Sequence, residues 1–179
     1  MLPDSLKSSP VVFKGARFQV RAVERSRRSG GTQTREVVEP PDSVVVLPVM
    51  ESGDVVLIRN ERFAVGKTLW EVCAGTLEPG EDPDACAARE LIEETGYEAK
   101  ALTRLTDFYP TPGFCTEFMR GYLATGLRHV GQDLDETERI TPEIVPMNKA
   151  LAMIRDGIIE DAKTIALLLY HHTFGEETR

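Results

Sequence analysis

The chain has 179 residues, of which 41% are hydrophobic and 28% charged, and its formal net charge is −8. This length and composition predict one globular domain with a full hydrophobic core. The acidic balance, and the lack of an apolar run near ~20 residues, argue against a nucleic-acid partner and a membrane partner. Three scattered cysteines and the lack of a basic-then-apolar leader predict free thiols and a cytoplasmic location.

The N-terminal part of the chain predicts a loose arm followed by a β-hairpin. Alternating apolar residues over 11–23 and a second apolar run at 34–40 indicate the two strands. The polar turn between them carries a basic cluster that we interpret as solvent-exposed: Arg25, Arg27 and Arg28. We therefore assign residues 1–40 to an N-terminal arm and hairpin, and residues 41–179 to the main domain.

The main domain alternates apolar strands with amphipathic helices, which predicts an α/β fold. A β-branched run at 43–50 indicates a buried strand. Further strands are predicted at 55–63, 68–75, 99–109, 118–127 and 139–146, and helices at 83–95, 147–157 and 161–174. We expect a mixed sheet with helices on both sides.

The helix predicted at 83–95 carries a cluster of carboxylates. Its boundary residues are Asp82 as N-cap, Pro83 in the first turn and Gly96 just past the end. Glu90, Glu93 and Glu94 are spaced i, i+3, i+4 and so share one face. Like charges at this spacing destabilise a helix by a few tenths of a kcal/mol per pair. The cluster is therefore either a solvated acidic face or the binding site of a hard divalent cation.

The stretch from Gly75 to Tyr97 resembles the Nudix box of the Nudix hydrolase family. That pattern reads G, five residues, E, seven residues, R-E, an apolar residue, any residue, E-E, any residue, G and an apolar residue. The positions filled here are Gly75, Glu81, Arg89, Glu90, Leu91, Glu93, Glu94 and Gly96, with Tyr97 in the last apolar place. The resemblance implies the Nudix fold, an α/β/α sandwich with a mixed central sheet, here preceded by the N-terminal β-hairpin.

Outside the box, the chain is similar to the ADP-ribose and nucleoside-diphosphate-sugar pyrophosphatase branch of that family. The similarity covers roughly residues 13–172 and is carried by TREVVEPPDSVVVLP, by LIRNERFAVGKTLWEVCAG, by the loop FYPTPGFCTE, and by DETERI and MIRDGIIEDAKTI. It implies metal-dependent hydrolysis of the diphosphate bond of ADP-ribose or a related nucleotide sugar, giving a nucleoside monophosphate and a sugar phosphate. The implied cofactor is Mg²⁺, with Mn²⁺ as the alternative.

Several residues are candidates for the metal site and the catalytic step. Glu90 and Glu94 are expected to bind metal directly because they lie one turn apart, and Glu93 is a third ligand, direct or through water. The resemblance adds the backbone carbonyl of Ala74. The residues expected to act in catalysis are Glu93, Arg89, which holds neighbouring carboxylates, and Glu117 after the PTPGFCTE loop. By position alone Glu117 is either the base or an ordinary surface glutamate, and the resemblance implies a base or a metal ligand. Glu81 is either a further metal ligand or the partner of Arg89.

The resemblance also implies a set of substrate contacts. Arg35 and Arg62 match positions that bind the diphosphate or sugar, where a guanidinium can bind two oxygens of one phosphate. Glu71 matches a position near the terminal ribose or sugar. Phe18 either stacks on the base or packs as an ordinary hydrophobic residue. The branch further implies a homodimer, in which the hairpin at 11–39 helps to build the partner's site.

Two other functions are weighed against this one. The first is a Nudix hydrolase of another nucleotide, such as an oxidised nucleoside triphosphate or capped RNA, although the acidic charge disfavours RNA. The second is a non-catalytic module that senses a nucleotide. Such a module would be expected to lose box carboxylates, and this chain keeps all of them.

Overall fold

The computed structural model describes residues 4–175, which form two compact units. The first contains the chain up to Asp42 together with Tyr109–Phe118, and the second contains Ser43–Phe108 and the chain from Met119 onward. The presence of Tyr109–Phe118 in the first unit was not expected from the sequence. Within residues 4–175, no helix is long and apolar enough to span a lipid bilayer.

The first unit is a small antiparallel sheet. Its elements are α1 (Asp4–Lys7), β1 (Val11–Lys14), β2 (Gln19–Ser26) and β3 (Thr32–Glu39), with the strands in the order β1-β2-β3. The single strand predicted at 11–23 is therefore two strands, because the chain turns where the Gly15 N–H donates to the Phe18 carbonyl (2.9 Å). The segment Tyr109–Phe118 of this unit pairs with β3 through Cys115 and Val38.

The second unit contains two sheets and three helices. Its elements are β4 (Ser43–Pro48), β5 (Val55–Arg62), β6 (Lys67–Glu71), β7 (Cys73–Thr76), α2 (Pro83–Thr95), β8 (Tyr97–Phe108), β9 (Met119–His129), β10 (Ile140–Val145), α3 (Met147–Arg155) and α4 (Ala162–Phe174). One sheet is mixed, in the order β7-β4-β9-β8 with β4 parallel to β9, and the other is antiparallel, in the order β10-β5-β6. The strand predicted at 68–75 is interrupted at Val72, so its two halves belong to different sheets.

Strand β4 lies between two hydrophobic clusters, as its unbroken apolar sequence predicts. Val44 and Val46 belong to the cluster that includes Leu91 of α2. Val45 and Leu47 belong to the other cluster, whose helical members are Ala150, Met153, Leu167 and Leu168. Since successive residues of a strand point to opposite faces, helices cover both sides of this strand. The predicted α/β fold with a mixed sheet between helices is confirmed.

The ends of α2 lie where the sequence predicts them. The side chain of Asp82 accepts hydrogen bonds from the N–H groups of Asp84 (2.9 Å) and Ala85 (3.4 Å). Gly96 has φ 75°, and its N–H donates to the Ile92 carbonyl (2.8 Å). A left-handed residue at this position favours glycine, so the cap fixes where the helix stops. The carboxylates of α2 therefore have a fixed helical register.

Candidate active site

Two carboxylates of helix α2 lie against strand β7. A Cβ atom at Gly75 would coincide with the carboxylate of Glu90, so that side chain lies directly on the glycine backbone. One helical turn later, Glu94 accepts a hydrogen bond from the N–H of Ala74 (2.9 Å). The spacing of Glu90 and Glu94 predicted a shared face, and both do lie against the same strand. This close approach requires a residue without a side chain at position 75.

Arg89 contacts three carboxylates of the box. Its Nη1 donates to Oε1 of Glu90 (2.7 Å) and to Oε2 of Glu93 (2.8 Å). Its Nε and Nη2 bind the two oxygens of Glu81 at 3.0 and 3.1 Å. The Glu78 N–H also donates to Glu81 (2.9 Å). Glu81 therefore holds Arg89 to the loop before α2, which corresponds to the second of the two roles that the sequence left open.

The charge state of these carboxylates follows from their contacts. Hydrogen bonds from Arg89, and to a smaller extent the one from the Glu78 N–H, lower the pKa of Glu81 to about 2. Burial raises the pKa of Glu94 to about 8, and the nearby charge of Glu90 adds to the effect against the opposing hydrogen bond from Ala74. Burial also raises the pKa of Glu90, although Arg89 opposes it. Glu94 is thus buried and readily protonated, Glu90 is half-buried and paired with Arg89, and ionising both carboxyls of this acidic pair needs a further counter-charge.

The donor set suits a divalent cation. Within residues 4–175, no three side chains of His, Cys, Asp or Glu form a ready-made cage for a metal ion. Glu90, Glu93 and Glu94 each keep one oxygen that accepts no hydrogen bond from a residue in that range. Mg²⁺ prefers oxygen ligands and usually retains several waters, so an open set of carboxylates is compatible with it. A cation would also supply the counter-charge that the acidic pair needs, so these residues fit the metal that the sequence predicts.

Arg62 and Glu71, both expected to contact substrate, bind each other. Nε and Nη2 of Arg62 lie 2.8 and 2.6 Å from the two oxygens of Glu71. Lys163 donates to Glu71 as well. Glu71 is only 1% exposed. Although burial alone would raise the pKa of Glu71, Arg62 and Lys163 hold it below its ordinary value. Glu71 is therefore an ionised, fully engaged carboxylate, whereas the Arg62 side chain is 41% exposed.

The other predicted substrate residues lie in the first unit. Arg35 lines a cavity of about 900 Å³ together with Arg25, Arg27 and Phe114. Two of the three hairpin arginines, which the sequence indicated to be a solvated turn, thus share a cavity with Arg35. A cavity with three guanidinium groups and an aromatic ring is suited to an anionic ligand with a planar group. The role of Arg35 stays a prediction.

Phe18 and the candidate base also lie in the first unit. Phe18 is exposed, and its ring centroid lies 5.9 Å from that of Phe13. This tilted pair is compatible with both functions considered for Phe18. Glu117 lies at the end of the loop Tyr109–Phe118. The predictions for Phe18 and Glu117 stay predictions.

Glu138 is a residue that the sequence analysis did not single out. Burial is the largest cause of the raised pKa of Glu90 and of Glu94, and the charge of Glu138 also contributes to both. Its carboxylate accepts from the Asp135 N–H (3.1 Å), and its own N–H donates to the Asp135 carbonyl (3.0 Å). The only signal for it in the sequence was the acidic segment DETERI. Glu138 is thus an additional carboxylate whose charge acts on the acidic pair.

Comparisons with known proteins agree with this geometry. The family model described as NUDIX domain matches residues 39–168. The chain is 35% identical over 161 residues to the ADP-ribose pyrophosphatase of Bacillus subtilis, covering 89% of this chain and 87% of that protein. It is 37% identical over 168 residues to the ADP-ribose pyrophosphatase of Mycobacterium tuberculosis, covering 92% and 81%. It is 35% identical over 150 residues to the GDP-mannose pyrophosphatase of Citrobacter koseri, covering 78% of each.

A solved structure supports the fold independently. The crystal structure of an ADP compounds hydrolase superposes with a TM-score of 0.81 at 22% identity, covering 96% of this chain and 93% of that one. The complete box, the arrangement of α2 against β7 and the extent of these matches lead to one conclusion. The chain belongs to the Nudix hydrolase family, as its sequence predicted.

Proposed function

We propose that this Nudix hydrolase cleaves the diphosphate bond of ADP-ribose or a related nucleoside diphosphate sugar, giving a nucleoside monophosphate and a sugar phosphate. The observation that carries the proposal is the pair of carboxylates, Glu90 and Glu94, that lies against Gly75 and Ala74. Each has an oxygen that can bind a cation, and a cation would neutralise their negative charge. The substrate class follows from relatives that are ADP-ribose and GDP-mannose pyrophosphatases. Because the names of these relatives give two different nucleotide sugars, the preferred one is to be determined by experiment.

Nudix hydrolases generally depend on a divalent metal, and we propose Mg²⁺ with Mn²⁺ as a substitute. Glu90, Glu94, Glu93 and the backbone carbonyl of Ala74 would hold it. When bound, such a cation neutralises phosphate oxygens and lowers the pKa of a water molecule. Arg89 orients Glu90 and Glu93 by its hydrogen bonds, and Glu81 keeps Arg89 in place. Arg89 is therefore a positioning residue in this scheme.

Two carboxylates are candidates for the base that accepts a proton from the attacking water. Glu117 is supported by its place after the PTPGFCTE loop, which resembles the loop of the pyrophosphatase branch. Glu138 is supported by the effect of its charge on Glu90 and Glu94. Both stay candidates, because a base must lie within hydrogen-bonding reach of a water at the metal site, and the two variants described below distinguish them.

The remaining proposals concern binding and assembly. Arg62 is proposed to bind the substrate phosphates, since its charge acts on Glu94 and its side chain is partly exposed. Arg35 and Phe18 keep their predicted roles in binding the anionic part and the base. We also propose a homodimer through residues 11–39. The free thiols of this chain support a reducing, cytoplasmic location.

The test is a panel of nucleoside diphosphate sugars incubated with Mg²⁺ or Mn²⁺. A phosphatase releases phosphate from the monoester products but not from the intact diphosphate, so released phosphate reports cleavage. We expect turnover of ADP-ribose, GDP-mannose or a related compound. Glu94→Gln should lower turnover by about 100-fold or more, because it removes a charge that acts on the transition state. Glu98→Gln, on the exposed ion pair with Arg128, is the matched control and should keep full activity.

The same assay separates the two candidate bases, and a second assay tests the other functions. Glu138→Gln should lower kcat strongly if Glu138 is the base, and Glu117→Gln should do so if Glu117 is. Oxidised nucleoside triphosphates and capped RNA are tested as competing substrates by chromatography of the products, because a phosphatase attacks the terminal phosphate of a free triphosphate directly. Cleavage of those alone would contradict the proposed substrate class. Tight nucleotide binding without any cleavage would indicate a sensing module, and unchanged turnover in Glu94→Gln would refute the metal assignment.

A further inference from the structure

The N-terminus of α4 takes part in a buried chain of ion pairs. Lys163 donates to Glu71 and also to Asp161 (2.8 Å), while Arg62 binds both oxygens of Glu71. The side chains thus alternate in charge in the order Arg62, Glu71, Lys163, Asp161. Both inner members are buried. Glu71 and Lys163, the two buried members, therefore each contact two groups of opposite charge. Buried ions require such partners.

The same turn of α4 holds the backbone between β6 and β7. The N–H of Val72, at the point where the two sheets separate, donates to Oγ1 of Thr164 (2.9 Å). Asp161 accepts from the N–H of Thr164 (2.9 Å) and so caps α4. Val72 lies between Glu71 and the strand that carries Ala74, whose N–H holds Glu94. The start of α4 therefore fixes the backbone on both sides of the strand break.

Arg62 is the member of the chain that faces outward. Its charge opposes the raised pKa of Glu94, so the guanidinium lies within electrostatic reach of the acidic pair. Its Nε and Nη2 are occupied by Glu71, whereas Nη1 donates to no other residue within 4–175. A guanidinium held by two donors keeps the direction of the third fixed. Nη1 is thus available to an oxyanion beside the metal site.

We propose that Lys163 is a positioning residue for substrate binding, acting through Glu71 on Arg62, and this inference rests on the proposed function. Without Lys163, the buried Glu71 would keep Arg62 as its only cationic partner, and Glu71 would be free to shift toward it. Removing one partner from a buried ion pair is costly because the remaining charge must find a new arrangement. The orientation of Arg62 would then change. Glu71 is assigned to this chain of ion pairs rather than to the sugar.

The test compares Lys163→Met with Lys67→Met. Lys67 forms an exposed ion pair with Glu160 (2.9 Å), so its variant makes the same chemical change nearby without entering the buried chain. We expect Lys163→Met to raise KM for ADP-ribose, or for the panel's best substrate, by about 10-fold, with kcat within about 2-fold. Lys67→Met should change neither constant.

A double-mutant cycle shows whether Lys163 acts through Arg62. Arg62→Gln should raise KM at least as much as Lys163→Met, and the double variant should be no worse than Arg62→Gln alone, since coupled residues are not additive. Additive effects, or a fall in kcat at constant KM, would overturn the proposal. If Lys163→Met does not fold, Lys163→Gln takes its place, because it can keep a hydrogen bond to Glu71 while losing the charge. It should raise KM in the same direction, and an unchanged KM would overturn the proposal.

One readout does not depend on turnover. The Nε–H resonance of Arg62, assigned by its loss in Arg62→Lys, should exchange slowly with water in the wild type and rapidly in Lys163→Met. Equal exchange in both proteins would overturn the positioning role. Failure of the wild type to cleave any nucleotide sugar would instead refute the proposed function. The two failures are therefore distinguishable.

Discussion

Burial of the Glu94 carboxyl costs folding free energy, and the same carboxyl is a proposed metal ligand. Its side chain is 4% exposed and lies close to Glu90, and burial raises its pKa to about 8. A glutamate in an unfolded chain has a pKa near ~4.3. The folded, metal-free protein therefore binds this proton more tightly than the unfolded chain does. The contribution of Glu94 to stability should therefore be most favourable below pH ~4, fall as pH rises between the two pKa values, and stay low above the folded value.

The first prediction is that Glu94→Gln stabilises the metal-free protein at high pH while impairing catalysis. The glutamine oxygen can still accept from Ala74, but no charge is buried. In EDTA at about pH 9 the variant should melt several degrees higher than the wild type, and the difference should vanish near pH ~4. Thermal melts from pH 4 to 9 measure this, with Glu98→Gln as control. A variant that is less stable than the wild type at pH 9 in EDTA would contradict the prediction.

At this scale the sequence predicted only some residues of the site. The 3.6-residue period placed Glu90 and Glu94 on one face, because helical geometry is local. The proximity of Glu138 and the ion pairs of Glu71 were not predictable, since they depend on which distant segments pack together. Lys163, for example, reaches Glu71 only because α4 begins beside the end of β6. No periodicity along the chain encodes such a contact.

At the scale of elements, α2 is joined to the sheet at both of its ends. Glu94 near its C-terminus holds Ala74, and Asp84 in its first turn accepts a hydrogen bond from the hydroxyl of Tyr122 (2.6 Å). Arg104 donates to the same hydroxyl (2.9 Å), and its guanidinium lies 4.9 Å from the centre of the tyrosine ring. Burial, followed by the bond to Asp84, raises the pKa of Tyr122 to about 12. The hydroxyl thus stays protonated and connects α2 with β8 and β9.

The second prediction is that Tyr122→Phe destabilises the fold by about 1–3 kcal/mol, because Asp84 and Arg104 both lose a buried partner. Equilibrium unfolding in urea measures the change. Tyr109→Phe removes a hydroxyl from an exposed tyrosine and should have little effect. An unchanged unfolding midpoint in Tyr122→Phe would show that the buried hydroxyl contributes nothing.

The sequence predicted the type of most elements but missed the short helix α1, which lies in the predicted loose arm, and two interruptions. The strand at 11–23 is broken at a turn beginning at Gly15, and the strand at 68–75 is broken at Val72. The second break lies between Glu71 and Cys73, where the sequence has no glycine or proline. It is fixed by the hydrogen bond from Val72 to Thr164 of α4, which substitutes for a strand partner. Such a break follows from tertiary packing rather than from local sequence.

At the scale of the whole molecule, charge is unevenly distributed along the chain. Residues 1–42 carry eight lysines and arginines against five acidic residues, although the chain as a whole is strongly acidic. The acidic excess therefore lies in the rest of the chain, which carries the box. A divalent cation reverses the local field of an acidic site, and the basic N-terminal part needs no such help to attract an anion. An anionic substrate is compatible with both parts for different reasons.

The third prediction concerns assembly through the first unit. Strand β1 lies at the edge of its sheet, and three of its residues, Val11, Val12 and Phe13, are exposed apolar side chains. An exposed apolar edge strand is typical of an interface. We expect a homodimer by light scattering after gel filtration, and Val12→Asp with Phe13→Asp should yield a folded monomer with reduced turnover, because charges at the edge oppose pairing. Ile158→Asp, on another exposed apolar residue, is the control and should stay dimeric and active. A fully active wild-type monomer, or a double variant that remains dimeric, would contradict the proposal that β1 carries the interface.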